Sequence, residues 1–485
     1  MDTAINAPPP AGIELHPVEL RRSSPLHLER RLRQTVQAFG PRLGPLLVRR
    51  GLGREVPDAT LARQVRRAFS ALGATYVKLG QVVASAPGVF GPEIAEEFRS
   101  LLDAGRPVEI DRIRDVIERE TGQPLHATFS SFDPDPIGCA SIAVVHRAVL
   151  RDGRAVAVKV TRPGIRSRIS ADLDIMELVL PRLAARLAGG DAALVGPMLE
   201  GLREQLGEEL DLRNEARTMT YFRAMLAREG RFERIVIPEV VPECSGARVL
   251  VMELLDGMAI DDLSAAESFG FDPAPLVQEV VKAWFLMALR DGAFHGDMHA
   301  GNMLLLADGR VGALDWGILG RLTPETHDHF RSIIAAALGD EEAWKRVTDR
   351  VQEQLGPVLE ERLGIAIDDI PDMVRGVLEP LLTRPFGEVQ LSALIAGPEA
   401  QDGAGLGFVR AGAPSDGGAE LPEFDRGMFL LGKQLLYFER YGKMYLSDVS
   451  LVSDRAFFES LVAPGETAQG HAPPDHAPPE VDPPS

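Results

Sequence analysis

Cysteine is nearly absent. Cys139 and Cys244 are the only two in 485 residues, so no disulfide framework can hold this fold, and a reducing compartment is expected. Long apolar runs are missing too. The nearest approach, Leu276 to Leu289, is interrupted by Gln278, Glu279 and Lys282 and stays short of the ~18 apolar residues a spanning helix needs. The opening MDTAINAPPPAG has neither the basic nor the apolar segment of a secretory signal. These readings predict a cytoplasmic protein whose membrane contact, if it has any, is peripheral. A surplus of base is lacking as well: 52 Lys plus Arg face 71 Asp plus Glu, a net charge of -19. That excludes a general nucleic-acid binder, which needs a dominant basic face.

Apolar residues make up 45% of the chain, enough for a sizeable core. Composition divides it into a disordered arm (1–20), a helical extension (21–125), a mixed α/β lobe with inserted helices (126–257) and a mostly helical lobe (258–395). A flexible Gly/Ala-rich loop (396–424), C-terminal helices (425–463) and a disordered Pro-rich tail (464–485) follow. One local reversal of charge stands out. Between Arg21 and Arg50 there are eight Arg against one acid, Glu29, interleaved with Leu26, Leu28, Leu32, Val36 and Phe39. Such a helix could lie on an anionic membrane surface or pack on the body with its charges solvated, and spacing leaves both open.

Residues 60–120 carry a 3.6-residue apolar period, including ATYVKLGQVVASAPGVF and PEIAEEFRSLLDAG. ASIAVVHRAVL and RAVAVKV, joined through Asp152-Gly153, predict a β-hairpin. Helices are predicted at 167–187 and 196–226, then a β-rich pair, RIVIPEVVPE and ARVLVMEL. MLLLADGRVGALDW predicts a second hairpin about Asp308-Gly309.

Three places carry candidate chemistry. In Ala155-Val-Ala-Val-Lys-Val160 the alternation of a strand puts the three Val on one face, with Ala157 and Lys159 on the other. Small Ala157 leaves room for a planar ring, and Lys159 can reach phosphate oxygens. An interior ammonium needs a carboxylate, and Glu215 is the obvious partner, in Glu208-Glu-Leu-Asp-Leu-Arg-Asn-Glu215. There Asp211 and Glu215 share a helical face, while Glu209 points nearly the opposite way unless the helix ends or bends. The third place is FHGDMHAGNMLLLADGRVGALDWG, from Phe294 to Gly317. Asp297, Asn302 and Asp315 supply a carboxylate near an acceptor and hard oxygen ligands for Mg²⁺, as phosphoryl transfer requires. His295 and His299 about Asp297 keep a hydrolytic zinc site open, and a purely structural turn is the third reading.

HGDMHAGN followed by LDWG resembles the His-x-Asp-x-x-x-x-Asn loop and Asp-Phe-Gly segment of the protein-kinase-like superfamily, small-molecule kinases of the aminoglycoside/choline type included. TYVKLGQVVASAPGVF resembles the Lys-x-Gly-Gln signature of the UbiB/AarF (ADCK) family of atypical kinases. Glu209-Leu-Asp211 with Glu215, and ASIAVVHRAVLRDGRAVAVKVTRPGI, resemble that family's Glu-x-Asp motif, Ala-rich loop and Lys strand. The resemblance spans roughly residues 60–320, with four motifs in the family's order.

It implies a bilobal kinase-like fold of the α+β (α/β) class, with an N-terminal helical extension carrying the Lys-x-Gly-Gln motif and a mostly helical C-lobe. It also implies ATP and Mg²⁺ as ligands. Lys159 would contact the phosphates and pair with Glu215. Asp297 would be the catalytic base, and Asn302 and Asp315 would hold the metal. The Ala140-Ser141 loop and the hinge Met252, Glu253 and Leu254 would meet the nucleotide. Lys78 and Gln81 would fold over it, with Glu209 and Asp211 engaging Lys78. The activity implied is an ATPase or a small-molecule or lipid kinase supporting isoprenoid-quinone metabolism, with quinone precursors and quinone-biosynthesis enzymes as partners and no nucleic acid. A small-molecule phosphotransferase and a non-catalytic, nucleotide-gated scaffold are the rivals. Three departures stand beside this. Val144 occupies a customary Gln position and Cys139 an Ala position. Met298 and Ala300 replace two Pro of the loop, which predicts a looser loop. The chain ends in FLLGKQLLYFERYGKMYLSDVS and a Pro-rich tail where many members have membrane-spanning helices.

Overall fold

Strands β2 (Ala143–Leu150) and β3 (Ala155–Thr161) form the first expected hairpin. Gly153 takes φ 92° in its turn, and the Asp152 carboxylate accepts from the Arg154 backbone N–H at 3.0 Å. The computed structural model describes residues 13, 15–84, 94, 97–98, 101, 108–187, 195–262, 269–270, 272–363, 365–389 and 425–463. The loop 396–424, the tail 464–485 and most of PEIAEEFRSLLDAG lie outside the described residues. So do residues 1–12 and 14 of the arm, but its described remainder is docked rather than disordered. Leu15 and Leu20 are buried, and the Val18 N–H donates to the Gly207 carbonyl at 2.9 Å.

β1 (Phe129–Cys139), β2, β3 and β5 (Val249–Glu253) make an antiparallel sheet in that order. Val144, Val156, Val158, Val160, Val249 and Val251 occupy one face. They pack under Ile113, Val116 and Ile117 of a helix at Ile110–Thr121, so that helix belongs to this lobe's core although it precedes residue 126. The other face presents Val145, Ala157, Lys159, Leu250 and Met252 to the second lobe. The β-rich pair at 235–254 is divided instead of forming a hairpin. β4 (Ile235–Val236) runs parallel to β9 (Val311–Ala313), in a sheet ordered β4-β9-β8-β6, where β6 is Gly257–Ala259 and β8 is Met303–Leu306. β8 and β9 are the hairpin expected about Asp308-Gly309.

Below this lies a helical lobe whose centre is helix Ala274–Asp291. Its Trp284 is fully buried, with the rings of Phe294, Phe438 and Phe285 at 4.9, 5.2 and 5.2 Å. The ribbon β7 (Ala293–His295) with β10 (Leu319–Arg321) carries the loop bearing Asp297 out of that core. The fit is tight: a Cβ on Gly320 would stand 2.2 Å from the Phe294 ring.

The N-terminal helices α1 (Pro25–Gly51), α2 (Asp58–Leu72) and α3 (Ala74–Ala84) pack on α4 (Ile165–Leu187) and α5 (Val195–Glu209). A polar knot fastens them. Arg31 donates to both oxygens of the fully buried Asp172 (2.5 and 3.0 Å), to which Thr75 also donates at 2.8 Å. Helix α1 therefore packs on the body along one face. Its opposite face leaves Leu26, Leu32, Val36, Leu47 and Val48 exposed. No helix among the described residues is long and apolar enough to cross a membrane.

Candidate active site

The expected single helix over 196–226 is two helices. α5 ends at Glu209, and α6 runs Leu212–Glu229. Asp211 stands between them as N-cap, its carboxylate accepting from the Arg213 backbone N–H at 3.1 Å. This break turns Glu209 and Glu215 toward one cleft, which a continuous helix would forbid. It also corrects the expected role of Asp211: its oxygens accept from the Arg213 guanidinium (2.7 Å), and Lys78 pairs with Glu209 at 3.2 Å. Glu209 is steadied by Gln205 at 2.9 Å.

Lys159 reaches the cleft from β3 because Ala157 and Lys159 share its inner face. Its Nζ donates to Glu215 Oε1 at 2.8 Å and to Asp315 Oδ1 at 2.7 Å. Burial pulls the ammonium down, but Asp315 and Glu215 more than offset this and hold it above its ordinary range. For Glu215, 3% exposed, burial prevails over Lys159 and raises its carboxyl. Asp315 goes the other way. Burial raises it, yet Lys159, with Lys78 adding to it, brings its carboxyl well below the usual range. Three carboxylates thus meet about Gly317, whose added Cβ would lie 3.4 Å from Asp315 Oδ1, 3.7 Å from Glu215 Oε2 and 4.0 Å from Glu209 Cγ.

Lys78 is buried on α3 at the cleft, close enough to lower both the Asp297 and the Asp315 carboxyls. The packing explains the glycine of its motif. A Cβ on Gly80 would approach Leu101 to 2.5 Å and Phe98 to 3.0 Å. Gln81, one turn on, is half-buried.

His295 is fully buried, and burial lowers its pKa, so the ring is neutral. Its Nδ1 accepts the Asp297 N–H at 3.1 Å and its Nε2 donates to the Leu314 carbonyl at 3.0 Å. Histidine therefore ties the loop bearing Asp297 to the segment bearing Asp315, with both nitrogens engaged inside the protein. Among the described residues no group of three His, Cys, Asp or Glu could hold a metal, which leaves the zinc reading without a ligand set. Asn302 donates through Nδ2 to the Asp297 carbonyl at 2.9 Å, which leaves its amide oxygen for other contacts. Asp315, 44% exposed on its side chain, opens to the cleft. A carboxylate and an amide oxygen are hard donors that suit Mg²⁺.

Other expected nucleotide contacts are placed as follows. Ser141 is buried in the loop after β1, and the neighbouring Ala140 carbonyl is pinned by Arg162 Nε at 2.9 Å. Met252 backs onto Ala157 across β5–β3. The Glu253 N–H donates to the Glu239 carbonyl at 2.8 Å and the Leu254 N–H to the Ala155 carbonyl at 3.4 Å, so both hinge donors are already directed into the protein. Val144 is fully buried under Ile113 and its neighbours, facing away from the cleft.

Sequence reasoning missed Lys433. It sits on α7 (Arg426–Tyr445), and its Nζ donates to Asp297 Oδ1 at 2.7 Å, with side chains 12% and 14% exposed. Gln434 Oε1 accepts the Met298 N–H at 2.9 Å, and the Tyr441 hydroxyl donates to the Met298 carbonyl at 3.3 Å. The loop carrying Asp297 is clamped where loss of two Pro predicted slack. Arg321 and Arg426 both reach Glu208 (2.6 and 2.7 Å), joining α7 and β10 to the end of α5. The one signal in the sequence was a Lys-Gln pair inside the apolar stretch Phe429 to Phe438.

The ABC1 atypical kinase-like domain matches residues 100–348. The chain belongs to that family. Among relatives of the ABC1 chain is the uncharacterized protein Rv0647c of Mycobacterium tuberculosis, 34% identical over 404 residues, 81% of this chain and 76% of the relative. A chloroplastic aarF domain-containing protein kinase of Arabidopsis thaliana, At5g05200, is 33% identical over 81% of this chain and 73% of its own length. The Marinobacter nauticus protein named "Probable protein kinase UbiB" is 31% identical over 69% of this chain and 60% of its own. A solved complex of Rv3197 with erythromycin, also from M. tuberculosis, covers 74% of this chain and 84% of that one at TM-score 0.48 and 23% identity. The ABC1 domain and the two-lobed architecture together make the fold kinase-like, of the UbiB/AarF atypical type.

Proposed function

We propose that this cleft binds ATP with Mg²⁺ and transfers the γ-phosphoryl group to a small or lipid acceptor, or to water. The observation that carries the reading is Lys159 donating at once to Glu215 and Asp315, which come from separate segments of the chain. An ammonium held between two acids is poised for phosphate oxygens, and its partners keep it fixed when nucleotide is absent. Asn302 and Asp315 would hold Mg²⁺, which when bound supplies positive charge to the phosphate oxygens. Asp297, kept ionised by Lys433 and oriented through His295 and Asn302, would accept the acceptor hydroxyl's proton. Lys78, from outside the two lobes, would cover the phosphates and exclude a bulky protein substrate, which favours this reading over a protein kinase.

An acceptor in isoprenoid-quinone or related lipid metabolism is supported by the UbiB name of the Marinobacter relative and by the surface of α1. Leu26, Leu32, Val36, Leu47 and Val48 of α1 and Leu178 and Val179 of α4 are 42% to 80% exposed. Those of α1 are interleaved with the arginines of an otherwise acidic chain, a pairing that suits peripheral contact with an anionic membrane. The deciding experiment is lipid and metabolite profiling of a deletion strain carrying either the wild-type chain or Asp297→Asn. Accumulation of a quinone precursor in the Asp297→Asn strain is expected. Identical profiles in the two strains would remove the catalytic reading.

A further inference from the structure

The catalytic carboxylate is shared with a cation from outside the matched ABC1 segment. Lys433 lies on α7, beyond residue 348, and its ammonium is held by Asp297 at 2.7 Å and over the Tyr437 ring at 5.7 Å. A buried ammonium costs several kcal/mol to desolvate, so its presence calls for a reason. Docking of the helix does not require it. Gln434 and Tyr441 already fasten α7 to Met298, the Tyr445 hydroxyl donates to the Ile260 carbonyl, and Arg426 reaches Glu208. A Cβ on Gly427 would stand 2.0 Å from the Arg321 carbonyl, so the helix also sits in close backbone contact with β10.

Charge distribution supplies the reason. Lys78 and Lys433 are near enough to disfavour one another, and both act on Asp297. Two ammonium groups beside one carboxylate, with Lys159 on the neighbouring Asp315, form a cluster suited to an anion of several charges. Resting on the nucleotide reading above, we propose that Lys433 is a catalytic residue whose ammonium binds the γ-phosphoryl oxygens as the group transfers. The acceptor oxygen forms its bond to the γ-phosphorus while the bond to the β–γ bridging oxygen breaks. That electron pair leaves on ADP, and the acceptor's proton passes to Asp297. In the transition state the charge is spread over the three equatorial phosphoryl oxygens, and these are what Lys433 faces. The C-terminal helix is then part of the active site.

The test uses the full chain with Lys433→Gln, Lys433→Arg and, as a control for the clamp alone, Gln434→Ala. Affinity for Mg-ATP and for Mg-ADP is measured together with kcat and KM for phosphate release and the melting temperature. Lys433→Gln is expected to lower kcat about 100-fold, the effect of losing one charge-stabilising donor. It should weaken Mg-ATP more than Mg-ADP, and Lys433→Arg should recover part of both. Gln434→Ala is expected to lower the melting temperature without changing the ATP-to-ADP preference. A second readout needs no substitution. Mass-spectrometric lysine labelling of the wild-type chain should show Lys433 protected by a non-hydrolysable ATP analogue and not by Mg-ADP. Equal protection by both, or Lys433→Gln with kcat within about threefold of wild type, overturns the proposal while the nucleotide reading stands. A wild-type chain that binds no Mg-nucleotide overturns both.

Discussion

Asp315 accepts from Lys159 across 2.7 Å while its own backbone is held at φ 54°, a positive value that no other non-glycine shares among the described residues. Left-handed backbone is uncommon outside glycine, though aspartate tolerates it better than most residues. Here it directs the carboxylate at the ammonium, beside Gly317, about which Glu215 and Glu209 also gather.

Asp315→Asn keeps the shape and removes the charge. It is expected to reduce Mg-ATP affinity and phosphate release at least 100-fold. Calorimetric titration and a phosphate-release assay measure the two. Hydrolysis at the wild-type rate would show that Asp315 is no metal ligand.

Asp172 is fully buried and receives Arg31 and Thr75, joining α1 and α3 to α4. Burial raises its carboxyl despite Arg31. Asp172→Ala strands the Arg31 guanidinium and should cost roughly 3–5 kcal/mol in urea unfolding. Arg31→Met combined with Asp172→Leu should recover much of that loss. A cost below about 1 kcal/mol for Asp172→Ala would mean that water already reaches the knot.

Acid sensitivity follows from His329, on the helix Pro324–Ala337. Burial, helped by Arg350, pushes it down to about 4. The folded ring is therefore neutral at a pH where the unfolded ring binds a proton. Its contribution is fully present above about 6.5 and declines as pH falls toward 4. Between pH 7.5 and pH 5, wild type should lose roughly 1–2 kcal/mol more stability than His329→Asn. Parallel stability curves for the two would discard this assignment.

Vesicle binding tests the outer face of α1. Co-sedimentation with liposomes should rise with anionic lipid content and fall several-fold when Leu32, Val36 and Leu47 are changed together to Asn. Deletion of residues 21–50 should abolish it. Equal binding to neutral and anionic vesicles would leave α1 as a packing helix alone.

Much of the upper lobe was legible because strands declare their faces locally. Val156, Val158 and Val160 against Ala157 and Lys159 is a period of two, and it fixed both the core side and the cleft side of β3. Asp152-Gly153 and Asp308-Gly309 announced their turns by the positive φ that glycine allows. Spacing could not reveal the break at Leu210 and Asp211, since Asp211 acts as a cap only once the chain has turned. Nor could it assign Asp211 to Arg213, a partner two residues away, in preference to Lys78. The C-terminal clamp was hidden by distance. Met298 and Gln434 are 136 residues apart, and the Lys433-Gln434 pair in FLLGKQLLYFERYGKMY, though unusual in an apolar stretch, does not say which segment it meets.

That separation bears on how the molecule comes into being. During synthesis the loop bearing Asp297 leaves the ribosome long before α7 exists, with Met298 lacking its Gln434 and Tyr441 contacts and Asp297 without Lys433. A growing polypeptide therefore carries that loop without its clamp until more than a hundred further residues have been added, so these contacts form late relative to the loop itself.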